Sequence, residues 1–360
     1  MYLLDEALEL WAAILSQTPA PASAEIISLF PRLLPIFEAA TDSAPLALQI
    51  AESYILLCPR EVLHDEIRVP FLASLETLIS AVKRQRLGVI PHLAEMLIRA
   101  TEHIDGGSEN SYNVIAKSLL DSSFLHAILE GLHSAYEVSQ STGPNRKTSD
   151  VYANLETDYF SVLARLALAN PRVFLSAISA ATSASEEQTL SWLLTEWFFH
   201  YDNIALVTQK KLHVLALTQL LAINATQAPP PRYLLNHLQS YLTVWTDIVT
   251  ELAEGSDDPS SLNINDPHAG KDYLIYWNKT SDPNNTSASD ETNKNEAPET
   301  ARRRQWENSD AVHSINIRQF IQERLQAVMH ACGGAQRFQE EWLVNVDREV
   351  VSAFGALGIF

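Results

Sequence analysis

A chain of 360 residues with 44 acidic and 25 basic side chains carries a formal charge of −19, and it spends only 11 positions on glycine and 2 on cysteine. The charge argues against a nucleic-acid-binding surface, because phosphate contacts need a surplus of Lys and Arg. It favours basic partners instead. The two cysteines, Cys58 and Cys332, cannot make a disulfide framework or a four-cysteine zinc site, and so few glycines disfavour nucleotide-cradling loops and all-β turns.

The first residues, Met1-Tyr-Leu-Leu-Asp-Glu, are acidic where a secretion signal would be basic. They already follow a helical pattern, which reads as a short native start or as a piece of something longer. No run approaches the ~18 apolar residues that a spanning helix needs, so membrane insertion is not expected. Unpaired cysteines fit a reducing compartment. The sequons at Asn224, Asn278, Asn284 and Asn285 then read as chance matches.

Apolar residues recur at helical spacing from the first turn. Leu3, Leu4, Ala7, Leu8, Trp11 and Leu15 define a helix that Thr18-Pro-Ala-Pro stops. Ser23 opens a second one through Phe37, which Pro31 and Pro35 should bend or split. Helices follow over 46–57, 69–82, with Pro70 near the first turn, and 87–104. A long pattern over 112–138 should break near Asp121-Ser-Ser. Next come 151–169 and 173–181, hinged at Asn170-Pro171, then 185–200 and 204–223 around Tyr201-Asp-Asn. Pro229-Pro-Pro precedes 233–253, and helical pattern resumes over 314–331 and 338–357 with Gly333-Gly334 between them.

Helices of this length in successive pairs of roughly 40 residues are the mark of a HEAT-type α-solenoid. The expected fold is therefore all-α: a superhelical arch of paired helices, with a compact helical bundle as the alternative. The organisation reads as HEAT-type repeats over 1–253, an acidic insert over 254–308, and C-terminal helices over 309–360 that complete the solenoid. Between Glu254 and Thr300 there are ten acidic and three basic residues in a Ser-, Asn- and Thr-rich setting. Such a segment buries too little apolar surface to offset its ordering entropy, so most of it should be disordered. One apolar island, 272–277, is able to dock back.

No motif for chemistry emerges. The chain lacks a phosphate-binding glycine loop, a nucleophile elbow and a His-Glu-x-x-His metal helix. No catalytic, metal-binding or cofactor-binding residue can be named, and no enzyme activity is expected. The histidines, such as His92, His103, His126 and His133, read as surface or edge residues, and Cys58 as a small buried hydrophobe. Three features stand out. Trp192–Phe199 reads as a core seam. Lys210 and Lys211 should snorkel from an apolar helix. Residues 1–57 hold seven acids against one base, Arg32, which either forms a negative inner surface or serves solubility.

Several stretches resemble the C-terminal half of importin-eleven-like karyopherins of the importin-beta family, closest to the fungal branch. They are Leu4-Asp-Glu-Ala-Leu-Glu-Leu-Trp, Leu29-Phe-Pro-Arg-Leu-Leu-Pro and Ile50-Ala-Glu-Ser-Tyr-Ile-Leu-Leu, then Val162-Leu-Ala-Arg-Leu, Glu196-Trp with Asp202-Asn-Ile, Lys210-Lys-Leu-His-Val-Leu-Ala-Leu, and Ser309-Asp-Ala-Val-His. Each is a helix-packing pattern, and their order along the chain carries the resemblance. It implies a nuclear transport receptor that shuttles between nucleus and cytoplasm through the nuclear pore. The implied partners are protein cargo, nucleoporins and the Ran GTPase, whose main binding surface lies in N-terminal repeats outside this segment. No family binding motif maps onto particular positions, so the partner-binding residues are unknown at this stage. The acids of the insert are expected to shield the cargo face or to pair with Arg302–Arg304.

Overall fold

The structure is a computed structural model that describes residues 2–39, 42–81, 88–105, 108–141, 149, 151–225, 228–254 and 296–359. Every regular element among the described residues is helical. In chain order they are α1 (Tyr2–Gln17), α2 (Ala24–Leu29), α3 (Leu34–Glu38), α4 (Ala44–Leu57), α5 (Pro59–Val62), α6 (Asp65–Ala81), α7 (Val89–Asp105), α8 (Glu109–Asp121), α9 (Phe124–Gln140) and α10 (Ala153–Ala169). There follow α11 (Pro171–Thr182), α12 (Glu186–His200), α13 (Val207–Leu221), α14 (Arg232–Leu235), α15 (Leu238–Glu254), α16 (Pro298–Asn308), α17 (Ala311–Ser314), α18 (Ile317–Ala331), α19 (Ala335–Glu341) and α20 (Arg348–Ala356). The all-α class with HEAT-like paired helices is as expected.

Local chemistry sets the boundaries. Ser23 and Ser108 cap α2 and α8 through their hydroxyls. Asn170 Oδ1 accepts from the amides of Arg172 and Val173 at 3.1 Å and starts α11. Ser185 and Gln188 form a reciprocal capping box on α12. Pro31 and Pro35 split the second pattern into α2, a 3-10 turn at Phe30–Leu33, and α3. The long pattern breaks between α8 and α9, where Ser123 takes the left-handed backbone (φ 60°). Gly333 and Gly334 turn the chain at φ 94° and 104°, a region open to glycine. Several expectations shift, and the helix expected over 233–253 is α14 and α15. Helix α6 starts at Asp65, which puts Pro70 inside it. The last predicted helix is α19, a 3-10 turn at Leu343–Asn345, and α20.

Packing divides the described residues into two units. One holds those of 2–128 with 296–310; the other holds those of 129–254 with 311–359. In the first, α1, α4 and α7 pack side by side, and α3, α6 and α8 do likewise. Edge-on rings join the two rows: Phe30 meets Tyr54 and Phe71, each at 5.2 Å between centroids. Trp11 Nε1 donates to Tyr54 Oη at 3.0 Å, and Tyr54 Oη donates to the Ile26 carbonyl at 2.7 Å.

In the second unit, α13 packs against α10, α15 and α18. Helices touched on several sides must be apolar on several sides. Accordingly α10 is buried from Glu156 through Ala167 except at Asp158. Trp245 closes the core beneath α13: its indole donates to Thr218 Oγ1 at 2.7 Å and its ring meets Phe354.

The segment read as an insert enters the described residues at 296. From Pro298 to Asn308 it is a helix, an element that apolar spacing does not predict. Polar anchors rather than apolar burial hold this helix, which is why hydropathy missed it. The island at 272–277 lies outside the described residues.

Candidate functional site

Two networks of polar side chains stand out from the apolar packing, one in each unit. In the second unit, α10, α12 and α13 carry polar residues at positions that the fold buries. Trp197 is fully buried, stacked on Phe160 at 5.1 Å. Its indole N–H donates to His213 Nδ1 at 3.2 Å. An indole nitrogen only donates, so His213 Nδ1 is an acceptor. The ring nitrogen facing Ser161 Oγ, at 3.1 Å, is then Nε2–H. Ser161 in turn donates to the Thr157 carbonyl at 3.0 Å. A proton therefore already sits between His213 and Ser161, so this histidine cannot take one from the serine. The pair is structural, and both residues are buried.

Next to it, His200 Nε2 lies 2.7 Å from Thr157 Oγ1 and its Nδ1 lies 3.3 Å from Glu156. Glu196, one turn back on α12, accepts from Ser139 Oγ of α9 at 2.7 Å. Burial pushes the Glu196 carboxyl up to about 7; Ser139 opposes the rise and neighbouring Glu156 adds to it.

The structure thus confirms the seam at Trp192–Phe199 for most of its length. Leu193, Leu194 and Trp197 are buried, and Phe198 packs on His237 and Tyr241, whereas Phe199 is exposed. It corrects two other readings. His92, His200, His213 and His313 are buried rather than at the surface or an edge. His92, His200 and His213 meet Glu52, Thr157 and Ser161 of other helices, contacts that periodicity does not reveal. The two lysines also part company. Lys210 reaches Glu251 at 2.8 Å and Asp247 at 3.3 Å, whereas Lys211 is buried on the inner side of α13. Cys58 is a buried hydrophobe as expected, and burial pushes its thiol up to about 12.

In the first unit, α16 lies against α1 and α4. Arg302 donates to the carbonyls of Thr18 at 2.6 Å and Leu15 at 3.2 Å. These belong to the C-terminal end of α1, whose last turn has no basic residue of its own. Arg303 pairs with Glu52 of α4 and, at 2.6 Å, with Glu299. Burial opposes its charge, but the two carboxylates more than offset that and hold the guanidinium above its ordinary range. Glu299 also accepts from Ser53 Oγ at 2.9 Å. Arg304 makes a two-point pair with Glu296, at 2.8 and 3.0 Å. Arg99 of α7 donates to the Trp306 carbonyl at 2.7 Å, lies 4.5 Å from its ring centroid, and sits 3.5 Å from buried Asp310. Glu296 and Glu299 belong to the acidic segment, so two of its acids do pair with Arg303 and Arg304.

Of the seven acids in 1–57, Asp5, Glu6, Glu9, Glu25, Glu38 and Asp42 are exposed, and Glu52 alone is turned into packing. Beside them an open apolar groove of about 220 Å³ runs between α1 and α2, lined by Leu10, Trp11, Ile14, Ile26 and Leu29. Among the described residues, no three His, Cys, Asp or Glu side chains converge as a metal site, and no helix is long and apolar enough to cross a membrane.

Comparison with known proteins adds the family. A family model described as "Importin-11-like, TPR repeats" matches residues 1–359. Importin beta-like protein kap113 of Schizosaccharomyces pombe is 24% identical over 353 residues, covering 98% of this chain and 30% of that protein. Importin-11 of Homo sapiens is 23% identical over 362 residues, covering 98% of this chain and 31% of that protein. Importin-11 of Mus musculus is 21% identical over 359 residues. The chain thus spans about 30% of the length of these curated relatives. No solved structure matches it.

Proposed function

Since the chain belongs to the importin-11-like repeat family, we propose that it acts as the C-terminal part of a nuclear transport receptor, binding basic protein cargo and taking part in Ran-GTP-regulated import. The observation that carries this reading is the family match across residues 1–359. The surface chemistry supports the choice of cargo. Exposed acids recur along α1, α2, α3 and the α5–α6 turn, with Glu61, Asp65 and Glu66 joining the six nearer the start. Arg32 and Arg60 are the exposed bases among residues 2–66. A surface of one sign speeds encounter with partners of the other sign. Repeat arrays flex because each repeat contacts only its neighbours. One partner can then weaken another if the two favour different curvatures. The receptor would meet nucleoporins on its passage and move between nucleus and cytoplasm.

The test is a titration of the full-length receptor with basic cargo fragments at rising salt. The Debye length falls from ~10 Å at 0.1 M to ~3 Å at 1 M. Affinity should fall with it, and Ran-GTP should release the bound cargo. Binding that ignores salt removes the electrostatic part of the reading. Cargo retained in the presence of Ran-GTP removes the transport part and leaves a scaffold.

A further inference from the structure

Helix α16 is held in an unusual way for a packed helix. None of its residues is fully buried, and its sequence, Pro-Glu-Thr-Ala-Arg-Arg-Arg-Gln-Trp-Glu-Asn, offers little apolar surface. Its attachment is made of charge-assisted bonds. Arg302 caps the C-terminal carbonyls of α1, Arg303 pairs with Glu52 of α4, and Glu299 accepts from Ser53 of α4. Arg99 takes the Trp306 carbonyl and ring. The surface beneath is suited to arginine. It offers the negative end of a helix dipole and a half-buried carboxylate, Glu52, with His92 at 3.9 Å from it. Two successive arginines on a helix satisfy both features.

We propose that α16 is an internal ligand, and that the surface of α1 and α4 it covers is the docking site for a basic helix of a protein partner, one that presents adjacent arginines to Leu15, Thr18 and Glu52. This rests on the reading of the chain as a receptor for basic cargo and gives that reading an address. The choice of partner follows from charge and geometry. Whatever replaces α16 must supply two donors to the α1 carbonyls and a cation to Glu52. A hydrophobic or acidic peptide supplies neither. Tethering makes α16 a competitor at high effective concentration, so a partner meets the site only in the fraction of molecules where α16 is lifted. Its apparent affinity falls by that fraction. Weakening α16 should therefore strengthen the partner.

The experiment uses the whole 360-residue chain and a fluorescein-labelled peptide copying residues 296–310, read by fluorescence anisotropy. The variant with Arg302→Ala and Arg303→Ala should bind the peptide roughly ten-fold more tightly than the unmodified chain, the scale of one or two charge-assisted bonds lost from the internal competitor. Adding Glu52→Gln should take most of that gain away. A double variant with unchanged helical circular dichroism that binds no better than the parent overturns the proposal. A second measurement needs no variant. Saturating peptide should raise amide hydrogen exchange over 298–308 in the unmodified chain; bound peptide with 298–308 still protected overturns the proposal as well. The two readings fail separately. Basic cargo that binds the chain with an affinity indifferent to Glu52→Gln sinks the docking site and leaves the receptor reading intact. Capture of the 296–310 peptide by a full-length receptor that binds no basic cargo supports the docking site and removes the receptor reading.

Discussion

The polar network around Trp197 and the one beneath α16 use similar residue types to opposite ends. In the first, every contributor comes from α9, α10, α12 or α13, and Glu156, Glu196, His200 and His213 are all buried. Fixed geometry is what it supplies: one tautomer for His213, one orientation for the Trp197 ring. In the second, the partners lie about 250 residues apart in sequence, and Arg303 keeps about a third of its side chain in solvent. A buried polar group is costly to leave unmatched, so the first network resists any change. In the second, Arg303 and Arg304 keep a third to a half of their side chains in solvent and can exchange a carboxylate for water at smaller cost, whereas Arg99 and Asp310 are buried as deeply as the first network. Deep burial reads as structure; partial exposure of the charged group reads as a joint.

The largest expected effect tests that contrast with one residue type. Trp197→Ala removes a fully buried ring, empties the stack on Phe160, and leaves His213 Nδ1 without its donor. Urea denaturation should show a loss of about 3–5 kcal/mol. Trp306→Ala removes a half-buried ring above Arg99. Its cost should be on the order of 1 kcal/mol, the scale of a cation–π contact. Equal costs would erase the distinction between the two regions.

A smaller effect follows from Glu196. Its carboxyl titrates near 7 in the folded chain against 4.5 for the free side chain. Between those values the folded state holds a proton that the unfolded state has released. Stability therefore declines as pH rises from about 4.5 through 7, and no penalty remains below that window. Glu196→Gln cannot ionise and keeps an acceptor for Ser139. Relative to the parent it should gain on the order of 2 kcal/mol between pH 5 and pH 8. A flat difference across that range would mean that the Glu196 carboxyl ionises freely and that the network is wetter than its burial indicates.

Most helices were legible because their apolar spacing and their stops are local signals. The Asn170-Pro171 hinge and the Tyr201-Asp-Asn turn are examples. The family was legible from the order of packing patterns along the chain. The family description speaks of TPR repeats where HEAT repeats were expected; both are arrays of paired helices, and α-helical spacing alone does not separate them. The buried histidines were not legible, because a histidine's exposure depends on which distant helix covers it. Thr157 and Ser161, which receive His200 and His213, sit one turn apart on α10, two helices before α12 and three before α13. Helix α16 was missed for a related reason. Its anchors are carbonyls of α1 and a glutamate of α4, and a run of three arginines after an acidic stretch gives no hydropathy signal.

Lys210 is the smallest case and the most discriminating. It lies at the edge of the Trp197 region, yet its chemistry is that of α16. Its ammonium meets Glu251 and Asp247 of α15, with those carboxylates 33% and 45% exposed. Burial lowers its proton affinity, but the two acids outweigh this and raise it. The ammonium also lies over the ring of Tyr201, 5.7 Å from its centroid. Lys210→Met keeps a long aliphatic side chain and deletes the charge. The two carboxylates can then take water, so the loss should stay below about 1 kcal/mol at low salt and vanish near 1 M, where screening already silences the pair. A salt-independent loss of several kcal/mol would place Lys210 with His213 as a fixed part of the core, and location would then predict robustness better than exposure does. A small, screened loss makes exposure of the charge the deciding variable, wherever in the molecule the pair is found.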